Sequence, residues 1–472
     1  MDSREARDKC GVVGVSVAGH GAAPYIYLGL RALQHRGQES AGMATWSSHS
    51  GLYQRKSMGL VHEIFGKEAL ESLRGSVGIG HVRYATTGRS SLKNAQPIIV
   101  PTVDNEIAIA HNGDIVNFIN VRNSMKRDGT EFLGSADTEV MGQLIAQEYS
   151  LSRNMESAIR RAISSLSGAY AITMLHGSTL YAFRDPQGIR PLCLGALENG
   201  YAIASESVAI ELMGGAFIRD VEPGEIVMIE KGQKPRSYKV ANQTGRAHCM
   251  FEWVYFSRPD SVIDGKLVYN VRKTIGETLA GESPVIADVV VPVPDSGRPL
   301  ALGFAGASGI PYSEGLIKSR FVERTFILPD QKLRQQAVRM KLHPIADVLN
   351  GKRVVLLDDS IVRGTTLREI ISMVRSVGAK EVHVRIGCPP IIAPCYFGID
   401  MKDRNDLIAY SKNEEQIRNA LGADSLKYLS LRGLFRSIGF PESSLCAGCI
   451  TAKYPLEIPQ ERQRFQKALK EF

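Results

Sequence analysis

Residues 354–366 read VVLLDDSIVRGTT. The four apolar residues at its start predict a strand buried on both faces. Asp358 and Asp359 close the strand, and Ser360 to Gly364 make a small polar loop. A helix is expected just after Gly364, Thr365 and Thr366, because Leu367, Ile370, Ile371, Val374 and Val377 then recur near helical spacing. A loop feeding a helix N-terminus offers backbone N–H groups and hydroxyls to an anion, which suits a phosphate. The GxxxxGK[ST] spacing is missing, so the string is not a P-loop. Two carboxylates beside a phosphate cradle repel the phosphate unless they hold something else. Ribose hydroxyls and Mg2+ are the natural candidates, since a hard cation takes oxygen ligands. The competing reading is a plain helix-starting turn whose acids favour the helix dipole.

The flanking sequence repeats this grammar. ADVVVPVPDSG (287–297) is a strand ending in a turn, and EVHVRIG (381–387) is a third strand. Apolar strands separated by helices predict a parallel sheet covered on both faces. Upstream the rhythm differs. CGVVGVSV (10–17), VGIGHVRYA (77–85), EIAIAHNG (106–113), AYAITMLHG (169–177) and TLYAFRD (179–185) are short apolar runs bounded by glycine turns. Helical stretches over Asp137–Tyr149 and Asn154–Ser165 interrupt them. The expected fold class is therefore α/β in two layered halves. The polar, aperiodic segment 230–248 is expected to link them, and the chain beyond about 400 is expected to be helical and polar.

Composition narrows the function classes. The chain has 472 residues, 44% hydrophobic and 22% charged, which excludes disorder as the main state. No run approaches the roughly 18 apolar residues a membrane span needs, and the charged Met1–Lys9 stretch cannot be a secretory signal core. A cytoplasmic protein with no membrane partner is expected. The formal charge of +8 is scattered, and only 7% of residues are aromatic, so no nucleic-acid stripe is expected. Phosphorylated small molecules account for the surplus equally well.

Seven cysteines, an odd number in a chain of this kind, point to a reducing compartment and to catalysis or metal binding. Cys10 leads directly into the GVVGV strand. With the nine residues before it removed, it would carry both a thiol and a free α-amino group, a nucleophile with its own base. The alternative is a buried core thiol behind a frayed tail. Cys446-Ala-Gly-Cys449 is a CxxC turn, open to zinc, redox or iron–sulfur chemistry.

The loop 354–366, with the PVPDSG turn at Pro292–Gly297, resembles the phosphoribosylpyrophosphate (PRPP) loop of type I phosphoribosyltransferases. Its SIVRGTT version is similar to that of the amidophosphoribosyltransferases. GLRALQHRGQESAGM, GHVRYATTG, AHNG and SADTE resemble, in order, the glutaminase domain of N-terminal-nucleophile (Ntn) amidotransferases. The resemblance implies a four-layer αββα glutaminase domain over 10–240, behind a propeptide at 1–9. A linker over 241–265, a type I phosphoribosyltransferase domain over 266–410 and a C-terminal segment over 411–472 would follow. It implies Cys10 as nucleophile and Asn112 with Gly113 as oxyanion hole. Arg83, Thr86 and Asp137 would bind glutamine. Asp358, Asp359, Ser360, Arg363, Gly364, Thr365 and Thr366 would bind PRPP, and Ser296, Asp358 and Asp359 would contact Mg2+. The basic residues of 315–344, Lys318 among them, would form a mobile loop over the pyrophosphate. Cys249, Cys395, Cys446 and Cys449 would ligate a structural [4Fe–4S] cluster. The implied activity opens purine synthesis: glutamine, PRPP and water give 5-phosphoribosylamine, glutamate and pyrophosphate, with ammonia channelled between sites. Purine nucleotides as feedback ligands and a homotetramer complete the expectation. The alternative is a non-enzymatic PRPP or nucleotide sensor on the same folds.

Overall fold

The computed structural model describes residues 10–19, 21–84, 91–240, 245–319, 342–401 and 403–459. The N-terminal half is a sandwich of two antiparallel sheets, with seven and six strands among the described residues. The strand Gly11–Val17 is central in the first, between Val77–Arg83 and Gly200–Ala204. The strand Glu106–Ile115 pairs with Gly168–His176 in the second. Alternation of side chains explains why these strands are apolar on both faces. Val12, Ala44 and Ile79 pack between the sheets against Ala108, Ala171 and Ala182. Val13, Val15 and Val82 face outward and meet Ile26 and Leu30 of the helix Ala22–Ala32. Ile107, Ile109 and Ile172 meet Val140, Ile145 and Ile159 of the helices Asp137–Ser152 and Met155–Ser165. The order helix, sheet, sheet, helix is the expected αββα stack.

The C-terminal half holds a four-stranded parallel sheet in the order Val289–Pro292, Arg353–Asp358, Glu381–Ile386, Ser425–Tyr428. Leu367, Ile370 and Val374 of the helix Thr365–Ser376 cover one face through Val354, Leu356 and Val384. Ile275, Leu300 and Phe304, from the helices Val268–Glu282 and Gly297–Ser308, cover the other through Val290, Val355 and Leu357.

Three boundaries differ from the sequence expectation. Within the polar segment 230–248, Arg236–Lys239 is an edge strand paired with Glu225–Met228, because an exposed edge tolerates polar side chains. Residues 245–265 are not a solvated linker: Trp253, Phe251 and Met250 are fully buried. The fourth parallel strand, Ser425–Tyr428, lies beyond position 410, where the transferase sheet was expected to end.

The segment 245–265 stitches the halves together. Ala247 and Cys249 donate N–H groups to Gln187 and Ile189 carbonyls at 2.8 and 3.1 Å, while His248–Cys249 pairs with Leu445–Cys446. Beneath it lies a buried ion network. The Arg36 guanidinium bonds Glu206 and, at 2.6 Å, Glu252; Arg190 stands 3.3 Å from Glu252. Burial opposes ionisation of both carboxylates, but the guanidinium groups outweigh it and hold them below the ordinary range. Carboxylates depressed in this way stabilise the fold above their unfolded pKa of about 4 and lose that contribution as the pH falls. Thermal melts should therefore show the fold weakening as pH drops below about 4.5. Arg36→Met, which removes the cation shared by two buried carboxylates, should cost about 3–5 kcal/mol at neutral pH. It should also flatten the acid part of that profile.

Candidate active site

Cys10 sits where the strand Gly11–Val17 begins, buried and at φ 88°. Its N–H donates to the Arg36 carbonyl at 3.0 Å, and its Sγ lies 3.9 Å from the Tyr84 carbonyl. Sheet register pairs Gly11 with Val82, which sets Arg83 beside Cys10. Arg83 is buried and its guanidinium lies 3.1 Å from Glu39. Thr86 lies outside the described residues.

The second sheet supplies the remaining groups at the same end of the sandwich. His81, two residues before Arg83, reaches across to the His111 carbonyl at 3.0 Å. Next to His111, Asn112 is fully buried, and neither atom of its side-chain amide has a hydrogen-bond partner. An unpaired buried amide is costly, so the position is kept for something other than stability. Gly113 has φ 144°, and a Cβ there would stand 2.0 Å from the Ala169 carbonyl. Only glycine fits. Asp137 opens the helix Asp137–Ser152; its carboxylate accepts the Ile115 and Thr138 N–H groups at 3.0 and 2.9 Å. It also lies 3.7 Å from His111 Nδ1. Burial works against a charged His111, yet Asp137 and the Ala169 carbonyl outweigh it and raise its pKa. His81, with no carboxylate beside it, is pushed by burial down to about 3 and stays neutral.

The other centre forms at the carboxyl edge of the parallel sheet. The strand Arg353–Asp358 ends in the two acids, and Gly364, at φ 75°, caps a helix that starts at Thr365. The two threonines are thus the first residues of the helix, where its free N–H groups are. Ser296 from the PVPDSG turn donates to Asp359 at 2.5 Å, and Ser360 donates to its other oxygen at 2.7 Å. Arg363 pairs with Asp406 and Lys318 with Asp295, at 2.7 and 2.6 Å. Residues 320–341, the rest of the expected basic loop, lie outside the described residues. Arg272 was not singled out by the sequence. It is buried, donates to the Trp253 and Ser257 carbonyls, and burial lowers its pKa to about 10 against the pull of Asp359.

A cavity of about 1380 Å³ is lined by the Asp358–Thr366 loop and, on its other side, reaches Tyr84, whose carbonyl neighbours the Cys10 thiol. Tyr84, His35 and Gln38 line it near Cys10, Asp358 to Leu367 line it at the far end, and Tyr255 to Asp260 lie along the wall. The wall residues fall in the strings LQHRGQES and YFSRPDS.

Cys249, Cys395, Cys446 and Cys449 converge from separated segments, all buried and none in a disulfide. Burial pushes the Cys446 thiol up to about 12 and Cys249 and Cys449 well up, and the neighbouring thiols add to the rise in each. Among the described residues no three His, Cys, Asp or Glu side chains stand close enough to hold one metal ion.

Comparison with known proteins agrees with both centres. A family pattern for a glutamine amidotransferase domain matches residues 81–211, and one for a phosphoribosyl transferase domain matches 266–388. The amidophosphoribosyltransferase of Methanothermobacter thermautotrophicus is 50% identical over 470 residues, 99% of this chain and 98% of that one. That of Bacillus subtilis is 45% identical over 461 residues, 96% and 95% of the two chains. The chain belongs to the amidophosphoribosyltransferase family.

Solved structures agree in fold. The Bacillus subtilis glutamine PRPP amidotransferase complexed with ADP and GMP superposes with a TM-score of 0.89 at 43% identity. It covers 96% of this chain and 98% of that one. A second structure, described as the allosteric regulatory enzyme of purine biosynthesis, gives 0.90 at 44% identity over 96% and 97% of the chains. Within this amidophosphoribosyltransferase, Asn112 offers a sharp stability test. Asn112→Ala removes two unpaired polar atoms along with its packing. It should cost no more than about 1 kcal/mol in a thermal melt, against about 2–5 for truncating a buried Leu.

Proposed function

We propose that this amidophosphoribosyltransferase makes 5-phosphoribosylamine from PRPP with ammonia released from glutamine inside the same molecule. One observation carries the reading: the cavity that touches Tyr84, the carbonyl neighbour of the Cys10 thiol, is also lined by the Asp358–Thr366 loop. A separate amidase or a nucleotide sensor has no need of that continuity.

Removal of residues 1–9 would free the Cys10 α-amino group, the base that takes the thiol proton. The sulfur then attacks the glutamine side-chain carbonyl. Asn112 Nδ2 and the Gly113 N–H receive the oxyanion, which accounts for the unpaired amide. Arg83 holds the α-carboxylate through its planar fork, and Asp137 the α-ammonium; Thr86 completes that set. The C–N bond breaks, ammonia leaves with the returned proton, and water later hydrolyses the thioester to glutamate. Ammonia crosses the cavity and attacks C1 of PRPP; the C1–O bond breaks, and pyrophosphate leaves with the electron pair. The new amine sheds its extra proton.

The N–H groups and hydroxyls of Ser360, Arg363, Gly364, Thr365 and Thr366 suit the 5-phosphate, and the acids face the ribose diol. The oxygen donors of Ser296, Asp358 and Asp359 fit Mg2+, which would supply charge neutralisation for the pyrophosphate. Four converging buried thiols suit a [4Fe–4S] cluster, which spans more than one ion's radius and whose positive iron would keep them as thiolates. Such a cluster would clamp residues 249, 395, 446 and 449 with no redox duty. Purine nucleotides as feedback ligands draw support from the Bacillus subtilis structure with ADP and GMP. A homotetramer is the assembly to test by sedimentation.

Cys10→Ala should abolish glutamine-dependent pyrophosphate release and leave ammonia-dependent release within about twofold, since the second centre lies across the cavity. Asn112→Ala should give the same split, with glutamine turnover reduced about 10²–10³-fold. Loss of both activities in either variant contradicts the two-centre scheme.

A further inference from the structure

The oxyanion glycine is held from two sides, and only one belongs to the glutaminase half. On one side, the Ala169 carbonyl occupies the space a Gly113 side chain would need. On the other lies the backbone of Gly398, in the loop PCYFGID of the C-terminal half. A Cβ on Gly398 would sit 3.1 Å from both Cα and C of Gly113 and 3.3 Å from its carbonyl oxygen. Gly398 has φ 107°, so it is a glycine position by conformation as well as by contact. Phe397 and Ile399, on either side of it, are buried in one apolar cluster with Ala169 and Val116 of the glutaminase half.

The loop itself is fixed from behind. Cys395 N–H donates to the Met401 carbonyl at 2.8 Å and closes the turn. The Ile392 and Ala393 N–H groups donate to the Cys449 carbonyl at 3.0 Å, and the Tyr454 hydroxyl donates to the Pro394 carbonyl at 2.7 Å. The pose of Gly398 is therefore set by the C-terminal tail, far from Cys10 in sequence.

We propose that Gly398 is a positioning residue for the glutaminase reaction: its backbone presses Gly113 against Ala169 and so fixes the oxyanion donor. An oxyanion donor acts only if it is held in place before charge develops, so a shift of a few tenths of an ångström at Gly113 lowers turnover without touching substrate affinity. The inference rests on Gly113 and Asn112 forming the oxyanion hole.

The test uses the purified enzyme after removal of residues 1–9, with Cys10 as N-terminus verified by intact mass. Gly398→Ala should lower kcat with glutamine about tenfold. KM for glutamine, ammonia-dependent synthesis and iodoacetamide alkylation of Cys10 should all stay within about twofold, because none of them uses the donor. The added methyl also strains the backbone, so Tyr454→Phe serves as the second variant. It loosens the same loop with no new atom near Gly113, and should lower the same kcat by a smaller factor with the same three readouts unchanged. If Gly398→Ala does not fold, Tyr454→Phe decides alone. An unchanged glutamine kcat, or equal loss of glutamine and ammonia activity, overturns the proposal. Asn112→Ala assayed in parallel separates the two claims. If it leaves glutamine turnover intact, the oxyanion reading has failed; if it collapses turnover while the loop variants do not, only the positioning role has.

Discussion

Arg36 is a fully buried cation, and its two carboxylate partners come from distant parts of the chain. Glu206 precedes the helix Ser207–Leu212 in the glutaminase sandwich; Glu252 opens the helical turn Glu252–Phe256 in the connecting segment. A buried charge is tolerated only when paired and hydrogen-bonded, so these segments must dock together. The same carboxylates then organise the cavity wall. Glu206 also accepts the Arg258 N–H at 2.9 Å, the Ser261 hydroxyl at 2.5 Å and His35 at 2.7 Å. Glu252 accepts Ser257 Oγ at 2.7 Å. The residues between the two reaction centres are thus suspended from one ion network. The carbonyl of Arg36 receives the Cys10 N–H. One residue ties the position of Cys10 to the shape of the cavity wall.

A second seam runs parallel to the first. Arg184 is buried and bonds Asp264 through two nitrogens, at 2.7 and 2.9 Å, while His248 lies 3.0 Å from the same carboxylate. One residue on, Cys249 enters the short ladder with Cys446. The connecting segment is therefore pinned to the sandwich by charge and to the tail by backbone pairing. A polar connector would have left the halves free to rock. This one, with Trp253 and Phe251 in the core, makes the interface part of a single apolar cluster.

What the sequence disclosed follows from how local each signal was. The strand–acid–glycine–helix order of 354–366 is complete in itself, and the structure differs only by starting the helix at Thr365. A layered α/β arrangement was legible in the apolar runs, while the four-layer αββα order came from the resemblance to the Ntn amidotransferases. The signal failed where burial comes from partners far along the chain. The linker over 241–265 came with the resemblance; in the structure Asp264 is partly buried there and paired with Arg184 and His248. Ser425–Tyr428 offered four residues with a lysine among them, too short to announce a parallel strand. Arg36 and Arg272 looked like ordinary surface charges, since nothing nearby in sequence neutralises them. Gly398 carried no signal at all, because its neighbour Gly113 is on the other half of the molecule.

The cavity's charge pattern bears on how the two chemistries can share one space. Arg31, Arg258, Arg272, Lys318 and Arg363 line it, with Asp260, Asp295, Asp358 and Asp359. Arg258 pairs with Asp260 and Lys318 with Asp295, so those charges largely cancel. Asp358 and Asp359 lie together at the other end, where the proposed Mg2+ would offset them. The wall nearer Cys10 keeps Arg31 without an acid in the cavity lining. On the proposed channelling, a wall of that sign repels ammonium and lets neutral ammonia pass. Ammonium has no lone pair to offer C1, so excluding it loses nothing the reaction could use. The two centres need not be close for this to work. They need one continuous cavity, and the ion network at Arg36 holds part of its wall in shape.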